Sequence, residues 1–128
     1  MCGNVVFKCI DSGVDLDCCG QQMQELIPHT NDSAMEKHLP VVECEPDGTI
    51  RVQVGSTPHP MTTGHHISFI YLETEHGGQV KYLNPDDAPQ ACFSACKDKP
   101  VAVYEYCNIH GLWRKEIDGS CTKAKTCK

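Results

Sequence analysis

The 128 residues contain no apolar run approaching the roughly 18 to 20 residues of a membrane span, so no membrane role is expected. The first residues, Met1-Cys2-Gly3-Asn4, lack the basic and apolar segments of a secretory signal, and the expected compartment is the cytoplasm. Basic side chains are few: 11 Lys and Arg against 17 Asp and Glu, a formal net charge of -6. That balance speaks against nucleic acid, whose phosphates need a basic face. It also repels an anionic small substrate at long range unless a local positive patch captures it. No stretch sustains a helical period, and there is no internal repeat or low-complexity block.

What the chain has in quantity is cysteine, ten in all, with seven histidines beside them. In an exported chain ten cysteines suggest a disulfide framework; in a reducing compartment thiolates more often bind metal or sit buried. The histidines and the adjacent pair Cys18-Cys19, which cannot bridge without strain, favour metal. With 40% hydrophobic residues the chain can bury a core.

Three regions are expected. Residues 1–30 form a cysteine-rich unit punctuated by Gly3, Gly13 and Gly20, with Val5-Val6-Phe7 as a short strand. A unit this small needs a metal or a partner to fold. Residues 31–114 follow a polar linker and read as strands: alternating Thr49 to Val54, the run His66 to Glu75, a Gly77-Gly78 turn into Val80 to Leu83, then Ala91 to Ala95 and Val101 to Tyr106. Prolines fall between these runs, where strands tolerate them. The expectation is an all-β, antiparallel, immunoglobulin-like sandwich with a small metal-binding-type N-terminal segment. Residues 115–128, polar and lysine-rich, read as a flexible tail.

Cys107-Asn108-Ile109-His110 places a thiolate and an imidazole three residues apart at a strand end, where both can reach one metal ion from a turn. Alone, the pair reads equally well as a buried cysteine near a surface histidine. His59 and His65 are six apart across a loop and can also converge; His66 alternates to the opposite face if the segment is extended. Glu36-Lys37-His38 sets an acid, a base and a candidate ligand together, although Glu36 and Lys37 read equally as a solvated charge pair. Cys44, Cys92 and Cys96 look like small buried hydrophobes, and Cys121 and Cys127 like free thiols in the tail.

Met35-Glu36-Lys37-His38-Leu39-Pro40, Gly55-Ser56-Thr57-Pro58-His59-Pro60-Met61 and Cys107-Asn108-Ile109-His110-Gly111-Leu112-Trp113 occur in that order. Together they resemble the superoxide reductase family of desulfoferrodoxins and neelaredoxins, over about residues 2 to 113. The resemblance implies one mononuclear iron with His38, His59, His65 and His110 as equatorial ligands and Cys107 as axial ligand. It implies one-electron reduction of superoxide to hydrogen peroxide, with re-reduction by a donor such as rubredoxin. Lys37 would steer the anion and order water for proton delivery, and Glu36 would take the vacant position in the oxidised form. Four neutral imidazoles and one thiolate leave ferrous iron a net charge of about +1, which with Lys37 offsets the acidic chain. A homodimer is also implied.

The N-terminal unit is similar to desulforedoxin, in which a Cys-x-x-Cys pair and an adjacent pair hold a second iron. Cys18 and Cys19 match the adjacent pair and Cys2 the second member of the first; the first member would precede Met1. Cys2, Cys18 and Cys19 are therefore candidate ligands of a second iron. The frame begins upstream, or Cys9 substitutes, or the site has decayed. Against the enzyme stand two other readings: an iron electron carrier without superoxide chemistry, for which Glu36 and Lys37 are dispensable, and a zinc-stabilised module, disfavoured because five ligands exceed the usual four.

Overall fold

The computed structural model describes residues 2–31, 38–95, 98–118 and 121. Among these there is no helix, and nine strands are ordered along the chain. β1 (Asp17–Cys18) and β2 (Gln21–Gln22) pair as a miniature hairpin. β3 (Pro40–Cys44), β4 (Thr49–Val54) and β7 (Gln90–Ser94) form a three-stranded antiparallel sheet in the order β3-β4-β7. β5 (Ile67–Thr74), β6 (Gly77–Tyr82), β8 (Pro100–Cys107) and β9 (Gly111–Glu116) form a four-stranded sheet in the order β6-β5-β8-β9. The expected all-β antiparallel sandwich is what is found.

Its core follows from alternation. Ile50, Val52 and Val54 of β4 are buried while Arg51 points out to solvent. In β5 the buried apolar residues are Ile67, Ile70 and Leu72, a spacing of three and then two, with buried Thr74 two further on. A register shift between Ile67 and Phe69 against β8 absorbs the extra residue, as a bulge does. Phe93 of β7 and Ala102, Val103 and Cys107 of β8 complete the filling. Each large aliphatic side chain so buried contributes about 1.5–3 kcal/mol.

Antiparallel pairing puts the start of β3, the end of β4, the start of β5, the end of β8 and the start of β9 at one end of the sandwich. The opposite end holds the finish of β3, β5 and β9. This polarity decides where chemistry can assemble.

Four expectations change in detail. The β5–β6 turn is Glu75-His76, and both glycines lie within β6, opposite Glu73 and Thr74. Gly78 is there because a Cβ would strike the Tyr71 hydroxyl and ring. Val5 to Phe7 form no strand; Phe7 instead lies against Tyr71, ring centroids 5.8 Å apart. Cys92 is exposed, its sulfur 3.5 Å from the Arg51 guanidinium.

The fourth concerns Cys44 and Cys121, which are neither a buried hydrophobe nor a free tail thiol but a disulfide pair, Cα atoms 5.4 Å apart. β9 runs on to Glu116, the Ile117 amide donates to the Val101 carbonyl, and the chain turns back so that Cys121 enters the core cluster. Linking residues 77 apart restricts the unfolded chain by roughly 4 kcal/mol. Residues 115–118 and Cys121 are thus part of the sandwich edge. Glu36, Lys37, Cys96 and Cys127 lie outside the described residues.

Candidate metal centre

His38 lies two residues before β3, His59 and His65 lie on the loop from β4 to β5, Cys107 ends β8, and His110 sits in the β8–β9 turn. All five come from the same end of the sandwich. One donor atom from each lies within 4.8 Å of every other. His38, His59 and Cys107 are buried, His65 is half-buried and His110 is exposed, so the cluster is walled by protein on one side and open on the other. His66 takes no part; its Nδ1 lies 3.1 Å from the Thr62 carbonyl.

The orientation of the rings suits a cation. His59 Nδ1 is 2.7 Å from the Pro60 carbonyl, an arrangement in which that nitrogen donates and Nε2 keeps its lone pair. His59 Nε2 is buried without a hydrogen-bond partner. A bare acceptor in a dry site is costly unless something positive faces it. Burial pushes the His59 pKa down to about 4, with the neighbouring His38, His65 and His110 lowering it further and the Pro60 carbonyl opposing. The ring is therefore neutral and ready to ligate at ordinary pH. His110 Nδ1 stands 2.9 Å from His38 Nε2 and 3.7 Å from Cys107 Sγ.

Burial also pushes the Cys107 thiol up, and buried Glu105 adds to this, while the backbone N–H groups of His110 and Ile109 oppose it. A coordinated cation resolves the conflict, because metal binding deprotonates a thiol outright. Four imidazoles and one thiolate exceed the four ligands of structural zinc and suit iron.

Three supporting features were not singled out in the sequence. Trp113 stacks on His38, centroids 4.7 Å apart and planes within 14°. His29 lies against the same indole, ring centroids 4.6 Å apart, held by a bridge in which the His29 amide donates to the Leu112 carbonyl and the Arg114 amide donates to the His29 carbonyl. Asn108 ties the two ligand loops together: its Oδ1 accepts from the His66 amide at 2.8 Å and its Nδ2 donates to the Gly64 carbonyl at 3.0 Å. Only the position of Asn108 between Cys107 and His110 hints at this in the sequence.

A second cluster joins Cys2, Cys18 and Cys19, also within 4.8 Å. Between β1 and β2 the turn residues Cys19 and Gly20 both have positive φ, 56° and 76°, as a type I′ hairpin requires. Glycine adopts this freely and Cys19 does so at a cost. The turn leaves Cys18 and Cys19 sulfurs 3.4 Å apart, with Cys2 3.3 Å from Cys18. The Asn4 backbone N–H holds the Cys2 thiol below its usual value, and hydrogen bonding to Cys2 and Cys19 pushes Cys18 up to about 11. Cys9 is not part of the group.

The desulfoferrodoxin family model matches residues 30–116. A desulfoferrodoxin of Syntrophotalea carbinolica is 44% identical over 116 residues, covering 91% of this chain and 90% of that one. A superoxide reductase of Pyrococcus horikoshii is 40% identical over 99 residues, 64% of this chain and 86% of that one. Among solved structures, the superoxide reductase of Treponema pallidum superposes with a TM-score of 0.70 at 36% identity, covering 82% of each chain. Kinship thus spans the sandwich and every strand end that supplies a donor: the chain belongs to the desulfoferrodoxin family.

Proposed function

We propose that this protein is a superoxide reductase whose centre is held by His38, His59, His65, His110 and Cys107. The observation that carries the reading is the convergence of four imidazoles and one thiolate at a single open-sided point. A donor set of this kind, once loaded with iron, supplies a one-electron couple. Superoxide then takes up one electron and two protons and leaves as hydrogen peroxide.

The chain's own residues shape that chemistry. Pro60 fixes the His59 tautomer, Trp113 holds His38 flat, and Asn108 keeps the loop bearing His65 against the turn bearing His110. The backbone N–H of His110, 3.4 Å from Cys107 Sγ, stabilises negative charge on that sulfur. The exposed side at His110 is where a small anion enters. In this reading Lys37 draws the anion in and orders water for proton delivery, and Glu36 takes the vacant position in the oxidised form.

Residues 1–30 act as a separate unit, with Cys2, Cys18 and Cys19 as ligands of a second iron, and 31–114 as the catalytic sandwich. A rubredoxin-type donor returns the electron. The exposed apolar side chains of the N-terminal unit, among them Val6, Ile10, Val14 and Ile27, support a homodimer in which a second copy covers them. Among the described residues no helix is long and apolar enough to cross a membrane, and the acidic balance offers nucleic acid no footing. The reading assigns the chain to the cytoplasm.

The test is stoichiometric. Reduced, iron-loaded protein is expected to consume superoxide and yield peroxide without dioxygen. Peroxide and dioxygen in equal amounts would mean dismutation, and unaltered superoxide decay would sink both.

A further inference from the structure

At the end of the sandwich away from the metal donors, two cysteines that the iron chemistry does not use are bonded to each other. Cys44 is the last residue of β3, an edge strand, and shares the inward register of Val42 and Pro40. Cys121 reaches it from beyond β9. The two differ in access: Cys121 is only 2% exposed, within the cluster that holds Ile50 and Phe93, whereas Cys44 is an exposed residue. Beside them opens a groove of about 540 Å³ lined by Val42, Cys44, Lys115, Asp118 and Cys121. Cys44 is thus the more open of the two to a small thiol or peroxide entering the groove.

We propose that Cys44 and Cys121 form a second redox site, a dithiol–disulfide couple that takes hydrogen peroxide as oxidant and a small thiol as reductant. In the closing direction the Cys44 thiolate attacks one peroxide oxygen and the O–O bond breaks. One oxygen stays on sulfur as a sulfenic acid and the other leaves, with a proton, as water. The Cys121 thiol then attacks the Cys44 sulfur and expels the second water. In sum, two thiols and one peroxide give one disulfide and two waters; sulfur loses two electrons and the peroxide oxygens gain them. In the opening direction a small thiolate attacks the Cys44 sulfur, Cys121 leaves as thiolate, and a second thiol completes the exchange.

The consequence is local to the sandwich edge. Closed, the bond joins the edge strand of one sheet to the segment that follows the edge strand of the other. Open, Ile117 and Cys121 are retained by the Ile117–Val101 hydrogen bond and the burial of their two side chains. The superoxide-reductase reading supplies the source of peroxide, and the couple rests on it only for that.

The test therefore adds peroxide directly. The full-length holoprotein is reduced with dithiothreitol, freed of reductant without oxygen, given about one equivalent of hydrogen peroxide, trapped with N-ethylmaleimide and mapped by peptide mass. The expected result is a linked Cys44–Cys121 peptide that a native dithiothreitol wash removes again. The oxidised form is expected to melt on the order of ten degrees above the reduced one. In folded Cys121→Ser, dimedone is expected to label Cys44 after peroxide. Both thiols found alkylated after peroxide would overturn the proposal. A bond that survives the native thiol wash would make it a static staple, which overturns it equally; an unlabelled Cys44 in Cys121→Ser would overturn the order of attack. Failure of superoxide reduction with closure intact sinks only the assigned activity.

Discussion

The two sulfur-bearing clusters of this chain differ in how their ligands are held. At the five-donor centre each side chain leaves the end of a long strand or a loop pinned between two strands, and the core begins there with Ile67, paired with Cys107, and Val54, paired with Pro40. Around Cys2, Cys18 and Cys19 the scaffold is a hairpin of two-residue strands with exposed neighbours such as Ile10 and Val14. Both clusters bring donors within 4.8 Å. The first is positioned by burial that exists without metal; the second has little apolar burial of its own and depends on what its sulfurs hold. Density of cysteine is thus a poor guide to which site a fold can preorganise.

Stripping metal with a chelator is the strongest way to break the contrast. Hydrogen exchange should rise throughout residues 2–27 while strands β4, β5 and β8 keep their protection. Equal loss in both regions would show that the sandwich, too, folds around its metal. Substituting ligands sharpens the same point: Cys107→Ser is expected to abolish the thiolate-to-iron absorption band, whereas Cys18→Ser leaves that band in place. A retained band in Cys107→Ser would falsify the ligand assignment.

Packing offers a smaller effect. Leu72→Ala, in the core, should cost about 2–5 kcal/mol in denaturant unfolding, and Ile10→Ala, 88% exposed, within about 0.5 kcal/mol. Comparable losses would contradict the account of the N-terminal unit. Trp113→Leu removes the ring stacked on His38 and is expected to weaken metal affinity about tenfold with the fold retained; Trp113→Phe should restore most of it. If leucine and phenylalanine behaved alike, the stack would have no positioning role.

The least effect lies farthest from either site. The Thr74 side chain, and then His76 at 2.9 Å, hold the Asp98 carboxyl below its ordinary range. A folded-state pKa below the unfolded one gives stability that is present above the unfolded value and lost as pH falls through the folded one. His76→Ala should raise the Asp98 pKa and flatten that acid dependence, which a carbon-13 carboxyl titration reads directly. His76 is too exposed for its loss to change stability much.

Much of the catalytic end was legible because its information is local. Three short motifs, around His38, around His59 and from Cys107 to Trp113, carry the family resemblance that implies the ligand set, while alternation and turn residues mark only the strands those motifs flank. The β5–β6 turn was misjudged because Gly77 and Gly78 carry the composition of a turn, whereas Gly78 is demanded by the Tyr71 ring across the strand. Cys44 and Cys121 were misjudged because the reducing-compartment argument weighs cysteines by number and spacing, and 77 residues of separation leave no local trace. Glu105 was passed over as one more charged residue in an alternating strand, yet it is fully buried two places before Cys107.

By itself the sequence determined the all-β alternation, which depends on a period of two, and through its three motifs the resemblance that names the five ligands and their order. Only the tertiary structure decided which nitrogen of His59 faces inward, that His29 and Trp113 brace His38, and that Cys121 returns to Cys44. Those outcomes depend on how two sheets and a returning chain pack together, and no short window of residues contains that geometry.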